Sequence, residues 1–498
     1  MASSTETFFR SKFGDKEFYF RLSLYNYPEG DVIYLKKNAL RYLEIIDNVF
    51  NPFHTGTIIL TNDFNILERS ITPYTFLGNG RDILQLEIIP VVTGDFDKDV
   101  VDEKVRKVLG LCFKFVVTEA TEVLFNNSLC KKIQLVEFGQ YFLNERYGDV
   151  FALAGSPTGD TNASNARDTG TIIKQILRQV FGDGDIFGDT FNASGSNTIN
   201  LRVYDSTPWN QILSYVVNAH TDETGSPCIL QFSRGEKKFE LFSLAKMFSN
   251  HNVAENKVET LLFPGTDINA TPNVNFSFCP VILNESRINE FYTESPTASF
   301  AIDLLANEHL ASFSRQNNAF IYDSRASSKN EIIEQYNKMF CVPFNDLFNA
   351  YTLKPNFYTN DEVTNTNYSS TGRCHDEHKQ TAINQKLKSL LFLGYVYKFK
   401  LVGSSNRMSN KFCDVVRADL ESNIDGQSSK WDLNTLGRHY VTTVKHIFTQ
   451  DTYTNEVETI KPYRLTKSGG FSIEKLLQNT NKVESMRPYI PTDPRAVL

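Results

Sequence analysis

One stretch, residues 56–90, limits what this chain can fold into because it encodes two strands with a connection between them. Apolar and polar residues alternate over 56–61 and again over 84–88. A period of two is typical of half-buried strands. Turn-forming residues and a short helical turn at 65–69 are expected between the strands. The stretch therefore predicts two strands of a largely β domain.

The second of these strands has two faces of different chemistry. Leu84, Leu86 and Ile88 are expected to share one face, because successive side chains of a strand point to opposite sides. Gln85 and Glu87 then share the other face, toward solvent or a channel.

The same alternation predicts strands in most of the remaining chain. They are expected at 18–24, 39–50, 111–117, 132–138, 229–232, 239–242, 274–281, 395–402, 437–448 and 453–460. The pair at 111–138 is predicted to turn at Asn126-Asn127, and the last pair to turn at 449–451.

Apolar residues at helical spacing predict helices at 172–181 and 208–217, and a third helix is expected at 329–339. Asp168 or Thr171 can cap the first of these, and Gly182 can end it.

The second helix is predicted to open with Thr207 as its N-cap and Pro208 at its first position. It is expected to bury Trp209 together with the apolar residues on the same face.

Length and composition favour a multidomain globular protein. A chain of 498 residues exceeds what one core usually supports, so about two to four domains are expected. A net charge of -7 argues against a surface that wraps nucleic acid. The seven cysteines are scattered without a CxxC pair, which predicts reduced core thiols rather than disulfides. The sequence predicts neither a signal peptide nor a membrane-spanning segment.

Two clusters could bind a metal, and a solvated loop is the preferred interpretation of both. Cys374, His375 and His378 lie close together, but no second ligand pair has suitable spacing for zinc. Asp183 and Asp185 resemble part of a calcium loop, but the glycine is misplaced and no glutamate stands at the twelfth position. We therefore predict no metal and no cofactor.

No sequence pattern assigns a catalytic residue. The chain lacks phosphate-loop, GxSxG and HExxH motifs. His439 and His446 are seven apart in a predicted strand, so they are expected to face opposite sides and to be hydrogen-bonded within the sheet. We therefore predict that the protein is not an enzyme.

Two segments carry a resemblance to a known family. The strand-turn-strand of 56–90 and the sequence LGRHYVTTVKHIFTQDTYTNEVETIKPYR at 436–464 resemble parts of the baseplate central hub proteins of contractile-tailed, T4-like bacteriophages. The hub part of type VI secretion spikes is similar. The resemblance implies an α+β, mainly β fold: two tube-like antiparallel β-barrel domains with helix-containing inserted domains.

It also implies a division of the chain. The expected parts are a first tube-like domain (1–150), a helix and hairpin domain outside the tube (151–262), a second tube-like domain (263–310 and 385–465), an insertion (311–384) and a C-terminal extension (466–498).

The function implied by the resemblance is structural. A homotrimer would form a pseudo-sixfold ring in the phage tail baseplate, joining the tail tube protein to the central spike protein beside neighbouring baseplate wedge proteins. Such a virion protein is assembled in the host cytoplasm, has no membrane anchor and meets DNA only during passage through the channel. The alternative is a carbohydrate-binding or peptidoglycan-degrading tail component, because all-β domains with polar insertions also occur in adhesins.

Overall fold

The structure is a computed structural model, which describes part of the chain. The described residues are 9–13, 16–27, 32–35, 37–61, 80–90, 111–144, 167–189, 191, 198–199, 207–222, 227–233, 237–244, 259–262, 276–278, 281–286, 395–403, 412–416, 437–449 and 452–461. The expected helical turn at 65–69, the helix at 329–339 and the cluster at 374–378 lie outside them.

Strands dominate the described residues. They are β1 (Phe9–Phe13), β2 (Lys16–Asn26), β3 (Ile33–Tyr34), β4 (Leu40–Asn48), β5 (Thr55–Thr61), β6 (Asp82–Pro90), β7 (Leu111–Phe125), β8 (Ser128–Glu137), β9 (Arg167–Asp168), β10 (Thr198–Ile199), β11 (Cys228–Ser233), β12 (Lys238–Ser243), β13 (Glu259–Leu262), β14 (Phe276–Phe278), β15 (Val281–Ser286), β16 (Tyr395–Val402), β17 (Phe412–Val416), β18 (Gly437–Phe448) and β19 (Tyr453–Lys461). The helices are α1 (Phe138–Leu143), α2 (Thr169–Phe181) and α3 (Trp209–Ala219), with a 3-10 turn at Lys37–Ala39. The α+β, mainly β class is confirmed.

The chain divides into two compact units, each built from separate segments. The first contains Met1–Asn144, Phe399–Met408 and Thr443–Val457. The second contains Glu145–Lys398, Ser409–Thr442 and Glu458–Leu498. The division into tube-like domains that the resemblance implies stays a prediction.

The first unit is built on an antiparallel sheet with the strand order β1-β2-β6-β7-β8-β5-β4-β18. One face of these strands forms its apolar core because the registers align their apolar positions. Leu86, for example, stands opposite Leu22 on one side and Phe113 on the other. The buried core residues are Phe20, Leu22, Leu24, Leu35, Leu40, Leu43, Ile45, Ile58, Leu60, Leu84, Leu86, Ile88, Phe113, Phe115, Val117, Ile133, Leu135, Phe448 and Tyr453.

The two strands predicted from 56–90 both exist, but they are not neighbours. β5 lies between β4 and β8, whereas β6 lies between β2 and β7. The predicted faces of β6 are confirmed, since Leu84, Leu86 and Ile88 are all buried in the core. Glu87 is buried as well, although its strand position predicted contact with solvent or a channel.

The β7–β8 hairpin is confirmed and is longer than predicted. It turns at Asn126 and Asn127, which both adopt positive φ, as a two-residue hairpin turn requires. The register shifts between Val117 and Glu119, where a β-bulge inserts one residue. The predicted strand at 132–138 ends at Glu137, since Phe138 begins the short helix α1.

The last six residues of β18 complete the first unit's sheet. They pair with β4 from Thr443 opposite Asn48 to Phe448 opposite Leu43. Phe448 packs on Phe20, with ring centroids 5.0 Å apart, and stacks on Tyr453 at 4.2 Å. Residues from both ends of the sequence therefore share one core.

In the second unit, helix α2 begins and ends as predicted. The Asp168 carboxylate accepts from the Thr171 N–H at 2.9 Å, and Gly182 ends the helix with a φ of 89°. The predicted start of α3 is wrong by one residue, because Pro208 rather than Thr207 occupies the N-cap position. Trp209 is only half-buried.

The second unit also contains the predicted hairpin of β11 and β12, with Phe232 opposite Phe239. The expected strand at 274–281 is divided into β14 and β15. β13 pairs in parallel with both β14 and β17, so this part of the fold is not purely antiparallel.

The prediction of core thiols holds for three of the four described cysteines. Cys130, Cys228 and Cys413 are buried and form no disulfide, whereas Cys112, which also forms none, is exposed. Cys112 departs from the prediction because it lies on the face of β7 opposite to the core.

Candidate assembly surface

The face of the first unit's sheet opposite to its core carries cross-strand polar pairs beside buried apolar side chains, which are Ile59, Ile83, Ile89 and Val116. The Thr57 hydroxyl donates to the Gln134 side-chain oxygen at 2.8 Å across β5 and β8. Gln85 stands opposite Lys114, whose side chain is exposed. Cross-strand polar pairs of this kind stabilise a sheet while leaving its surface compatible with water. The sheet of the first unit therefore has one face that forms the apolar core and a second face that carries cross-strand polar pairs.

A buried ion pair also lies on this second face of the sheet. The Arg21 Nε donates to the Glu87 Oε2 at 2.5 Å, and a second guanidinium nitrogen contacts the same oxygen. The Arg21 guanidinium also lies over the Tyr34 ring, 5.4 Å from its centroid. Two neighbours thus compensate the cost of burying this cation.

A histidine between two carboxylates holds the turn that connects β4 to β5. The Glu137 Oε2 accepts from the His54 backbone N–H at 2.8 Å and lies 3.1 Å from its Nδ1. The His54 Nε2 lies 3.5 Å from the Asp47 Oδ1, and the ring meets Phe113 edge-on. Because the His54 side chain is 2% exposed, the cluster fastens the turn to the end of β8 rather than meeting a substrate.

The two histidines of β18 are buried and hydrogen-bonded, as predicted. In the first unit the His446 Nδ1 lies 2.8 Å from both the Tyr453 hydroxyl and the Asn455 amide nitrogen. In the second unit the His439 Nδ1 lies 3.0 Å from the Thr459 hydroxyl. Their odd spacing in one strand places them on opposite faces.

The second unit brings serine, histidine and aspartate residues near its hairpin, but not in the order of a catalytic triad. The Ser243 hydroxyl donates directly to the Asp222 carboxylate at 2.5 Å. The His220 Nδ1 lies 2.8 Å from the Thr169 hydroxyl instead of serving the serine. All four residues are buried, so the arrangement fits structural cross-links and not acyl transfer.

A shallow groove follows the exposed face of α2 and its C-terminal end. It is lined by Thr171, Lys174, Gln175, Arg178, Gln179 and Asp183. The Lys174 Nζ lies 5.7 Å from the ring centroids of both Phe187 and Phe191, and Arg178 lies over Phe187. These cation–π contacts order the two cations on the outside of the helix.

The two clusters with metal-ligand residue types differ in what the structure describes: Asp183 and Asp185 are described, whereas the cluster at 374–378 lies outside the described residues. Asp185 is paired with Lys238 at 2.8 Å, and no group of three or more metal-ligating side chains occurs among the described residues. The described helices also include none that is long and apolar enough to cross a membrane.

The exposed tip of the β7–β8 hairpin is apolar. Leu124 and Leu129 stand opposite each other beside the turn and are 79% and 52% exposed. Their face of the hairpin continues from Ile133, which is buried in the core. The sequence contained the signal, since both leucines flank the Asn126-Asn127 turn.

A second exposed apolar cluster lies at the base of the same hairpin. Tyr27 contacts Phe138 with ring centroids 6.2 Å apart, and Phe138 contacts Phe142 at 4.8 Å. Tyr27 is 55% exposed and Phe142 is 39% exposed. Sequence reasoning missed this cluster because its members come from β2 and α1, which lie far apart along the chain.

Comparison with known proteins finds similarity in structure but not in sequence. No protein-family model matches the chain, and no curated protein matches it. A tail protein from Neisseria meningitidis MC58 is 8% identical, with a TM-score of 0.41 over 89% of this chain and 96% of that one. The 43 kDa tail protein of prophage MuSo2 from Shewanella oneidensis is 10% identical, with a TM-score of 0.41 over 89% of this chain and 98% of that one. The E. coli c3393 protein, described as a type VI secretion component with structural similarity to the T4 tail proteins gp27 and gp5, is 9% identical, with a TM-score of 0.36 over 90% of this chain and 78% of that one.

Proposed function

We propose that this protein is a structural component of a contractile phage tail, the central hub of the baseplate. In this role it acts by assembly and not by catalysis. Three copies form a pseudo-sixfold ring around a channel, joining the tail tube protein to the central spike protein and contacting the baseplate wedge proteins. The protein is then part of the virion and is assembled in the host cytoplasm.

The observation that supports this proposal most is the two-faced sheet of the first unit. Its apolar face buries the core, whereas its other face presents cross-strand polar pairs such as Thr57 with Gln134. A tube wall needs this arrangement, because one face must hold the fold together and the other can meet water or a neighbouring subunit. The buried Ser243–Asp222 pair gives no comparable support to a hydrolytic tail component.

The proposal is tested by the mass and shape of the purified protein. Native mass measurement at micromolar concentration should give three chains, alone or after addition of spike protein, and negative-stain images should show a ring with a central channel. A protein that stays monomeric with the spike protein present would overturn the proposal.

A further inference from the structure

The turn that connects β4 to β5 is held on the junction between β8 and α1 by two consecutive residues. The Glu137 N–H donates to the His54 carbonyl at 3.0 Å, and the Glu137 carboxylate accepts in return from the His54 N–H at 2.8 Å. Phe53 packs directly on Gly139 in the first turn of α1, where a Cβ atom would collide with the Phe53 ring. The position of α1 is therefore tied to the position of this turn.

The imidazole ring of His54 has a carboxylate oxygen beside each of its nitrogens. The Nδ1 lies 3.1 Å from the Glu137 Oε2, and the Nε2 lies 3.5 Å from the Asp47 Oδ1. These carboxylates come from the ends of β8 and β4, and the side chain of β7 that meets the ring is the apolar Phe113. An ionised carboxylate accepts hydrogen bonds and donates none. Both ring nitrogens therefore face groups that only accept.

This environment distinguishes between the protonation states of His54. A neutral imidazole has one N–H donor and one lone pair, so it would direct its lone pair at an ionised carboxylate. An imidazolium has a donor at each nitrogen and places its positive charge between two negative ones. Burial of the side chain, which is 2% exposed, disfavours a charge, but the two adjacent counter-ions offset that cost. The geometry therefore favours the doubly protonated ring.

His446, which lies in the same unit, has the opposite environment. Its Nδ1 lies 2.8 Å from the Asn455 amide nitrogen, which is a hydrogen-bond donor. A ring nitrogen that accepts from an amide carries no proton, so His446 is a neutral imidazole. His54 and His446 thus provide a contrast within one unit.

We propose that His54 is an imidazolium in the folded protein at neutral pH and that its proton acts as a latch. With the proton bound, Asp47 and Glu137 hold the turn between β4 and β5 and, through it, the start of α1. Release of the proton to solvent at higher pH replaces one of the two attractions by a repulsion, so the turn and α1 loosen together. Since α1 carries Phe138 and Phe142, the latch also controls the placement of the exposed cluster that they form with Tyr27.

The first test observes the histidine rings directly in the full chain. Selective ¹⁵N labelling of the eight histidines, with two-bond ¹H–¹⁵N correlation, distinguishes a doubly protonated ring from a neutral one. At pH 7.5 a solvated histidine, whose pKa is about 6.5, is about nine-tenths neutral. We expect the His54 signal, identified by its absence in His54→Gln, to be that of an imidazolium at this pH. The His446 signal should be that of a neutral ring. A neutral His54 in the wild-type protein would overturn the proposal.

The variant Asp47→Asn tests the source of the effect. It removes the counter-ion at the Nε2 and keeps the shape of the side chain, so the His54 signal should become that of a neutral ring at pH 7.5. An imidazolium signal that persists in this variant would contradict the role of Asp47 in the latch.

Stability and hydrogen exchange test the consequence of the latch. Because the folded state holds a proton that the unfolded chain releases, the urea midpoint of the wild-type protein should fall relative to that of His54→Gln from pH 6 to pH 9. Tyr42 is present in both proteins, so its ionisation does not enter this difference. Over the same range the protection of α1 amides, corrected for intrinsic exchange, should fall in the wild-type protein, whereas that of α2 should not. Parallel stability profiles or unchanged protection of α1 would overturn the latch even if the His54 ring is charged.

Discussion

Arg21 and Glu87 stand opposite each other in the register of β2 and β6, and their side chains form one ion pair that is almost completely buried. Arg21 is 9% exposed and Glu87 is 5% exposed. A charge in this position cannot turn to water when its partner is removed. The pair therefore makes each residue dependent on the other.

Removal of one partner should be strongly destabilising. We expect Glu87→Gln to lower the free energy of unfolding by about 3 to 5 kcal/mol, because the buried guanidinium loses its carboxylate counter-ion. Replacing both residues, as in Arg21→Met with Glu87→Leu, should cost much less than the sum of the single changes. Urea denaturation of the three variants measures this coupling, and additive losses would show that the pair does not act as a unit.

The two faces of β6 should respond differently to truncation. Leu86 is 0% exposed, so Leu86→Ala is expected to cost about 2 to 5 kcal/mol through lost contacts and a cavity. Gln85 on the other face is half-buried, and Gln85→Ala should change stability by about 0.5 kcal/mol or less. Thermal unfolding of both variants, with mass measured in parallel, separates folding from assembly. Equal losses at the two positions would contradict a two-faced strand.

Tyr42 should make stability depend on alkaline pH. Burial first, and then the hydrogen bond from its hydroxyl to Glu44 at 2.6 Å, raises the pKa of Tyr42 above its ordinary value of 10.0. Since the folded-state pKa lies above the unfolded one, the stabilisation is fully present below pH 10 and is lost as the pH rises toward the folded pKa.

The variant Tyr42→Phe isolates this effect, because it keeps the ring and removes the ionisation. The urea midpoint of the wild-type protein should fall relative to that of the variant from pH 8 to pH 10 and pH 11. Parallel pH profiles for the two proteins would show that the Tyr42 hydroxyl does not titrate with folding.

The N-cap of α2 should make a measurable contribution to the free energy of unfolding. Asp168→Ala removes the carboxylate that accepts from the Thr171 N–H and is expected to cost about 1 kcal/mol. Asp189→Ala serves as the control, because Asp189 is exposed beyond the helix and caps nothing in it. The two unfolding midpoints should differ accordingly, and identical midpoints would contradict the role of Asp168.

The sequence predicted those elements whose structure depends on residues that are neighbours along the chain. The alternation of β6 and β16, the cap at Asp168 and the turn at Asn126-Asn127 could be read from neighbouring residues, and each is present in the structure. The sequence also predicted that the β18 histidines are hydrogen-bonded, but it did not identify the residues that bond them.

What the sequence could not show depends on residues far apart along the chain. Glu87 is buried because Arg21 lies opposite it, and no local pattern contains that pairing. The neighbours of β5 and β6 follow from sheet order, which alternation does not determine. The exposed aromatic cluster of Tyr27, Phe138 and Phe142 was missed for the same reason, since Tyr27 and Phe138 meet only after folding. The prediction of the α3 N-cap was wrong for a different reason. Thr207 is a good capping residue type, but it lies one position before the N-cap, which is Pro208.

The pairing of Asn48 with Thr443 has a consequence for biosynthesis. The ribosome synthesises β4 long before β18, the strand that covers its edge, because about 400 residues separate Asn48 from Thr443 along the chain. At about 5 to 20 residues per second, that edge waits on the order of 20 to 80 s for its partner. During this interval the nascent chain presents an uncovered strand, to which other nascent chains or a chaperone can bind. We therefore expect the yield of soluble protein to depend on protection of this edge until β18 has been synthesised.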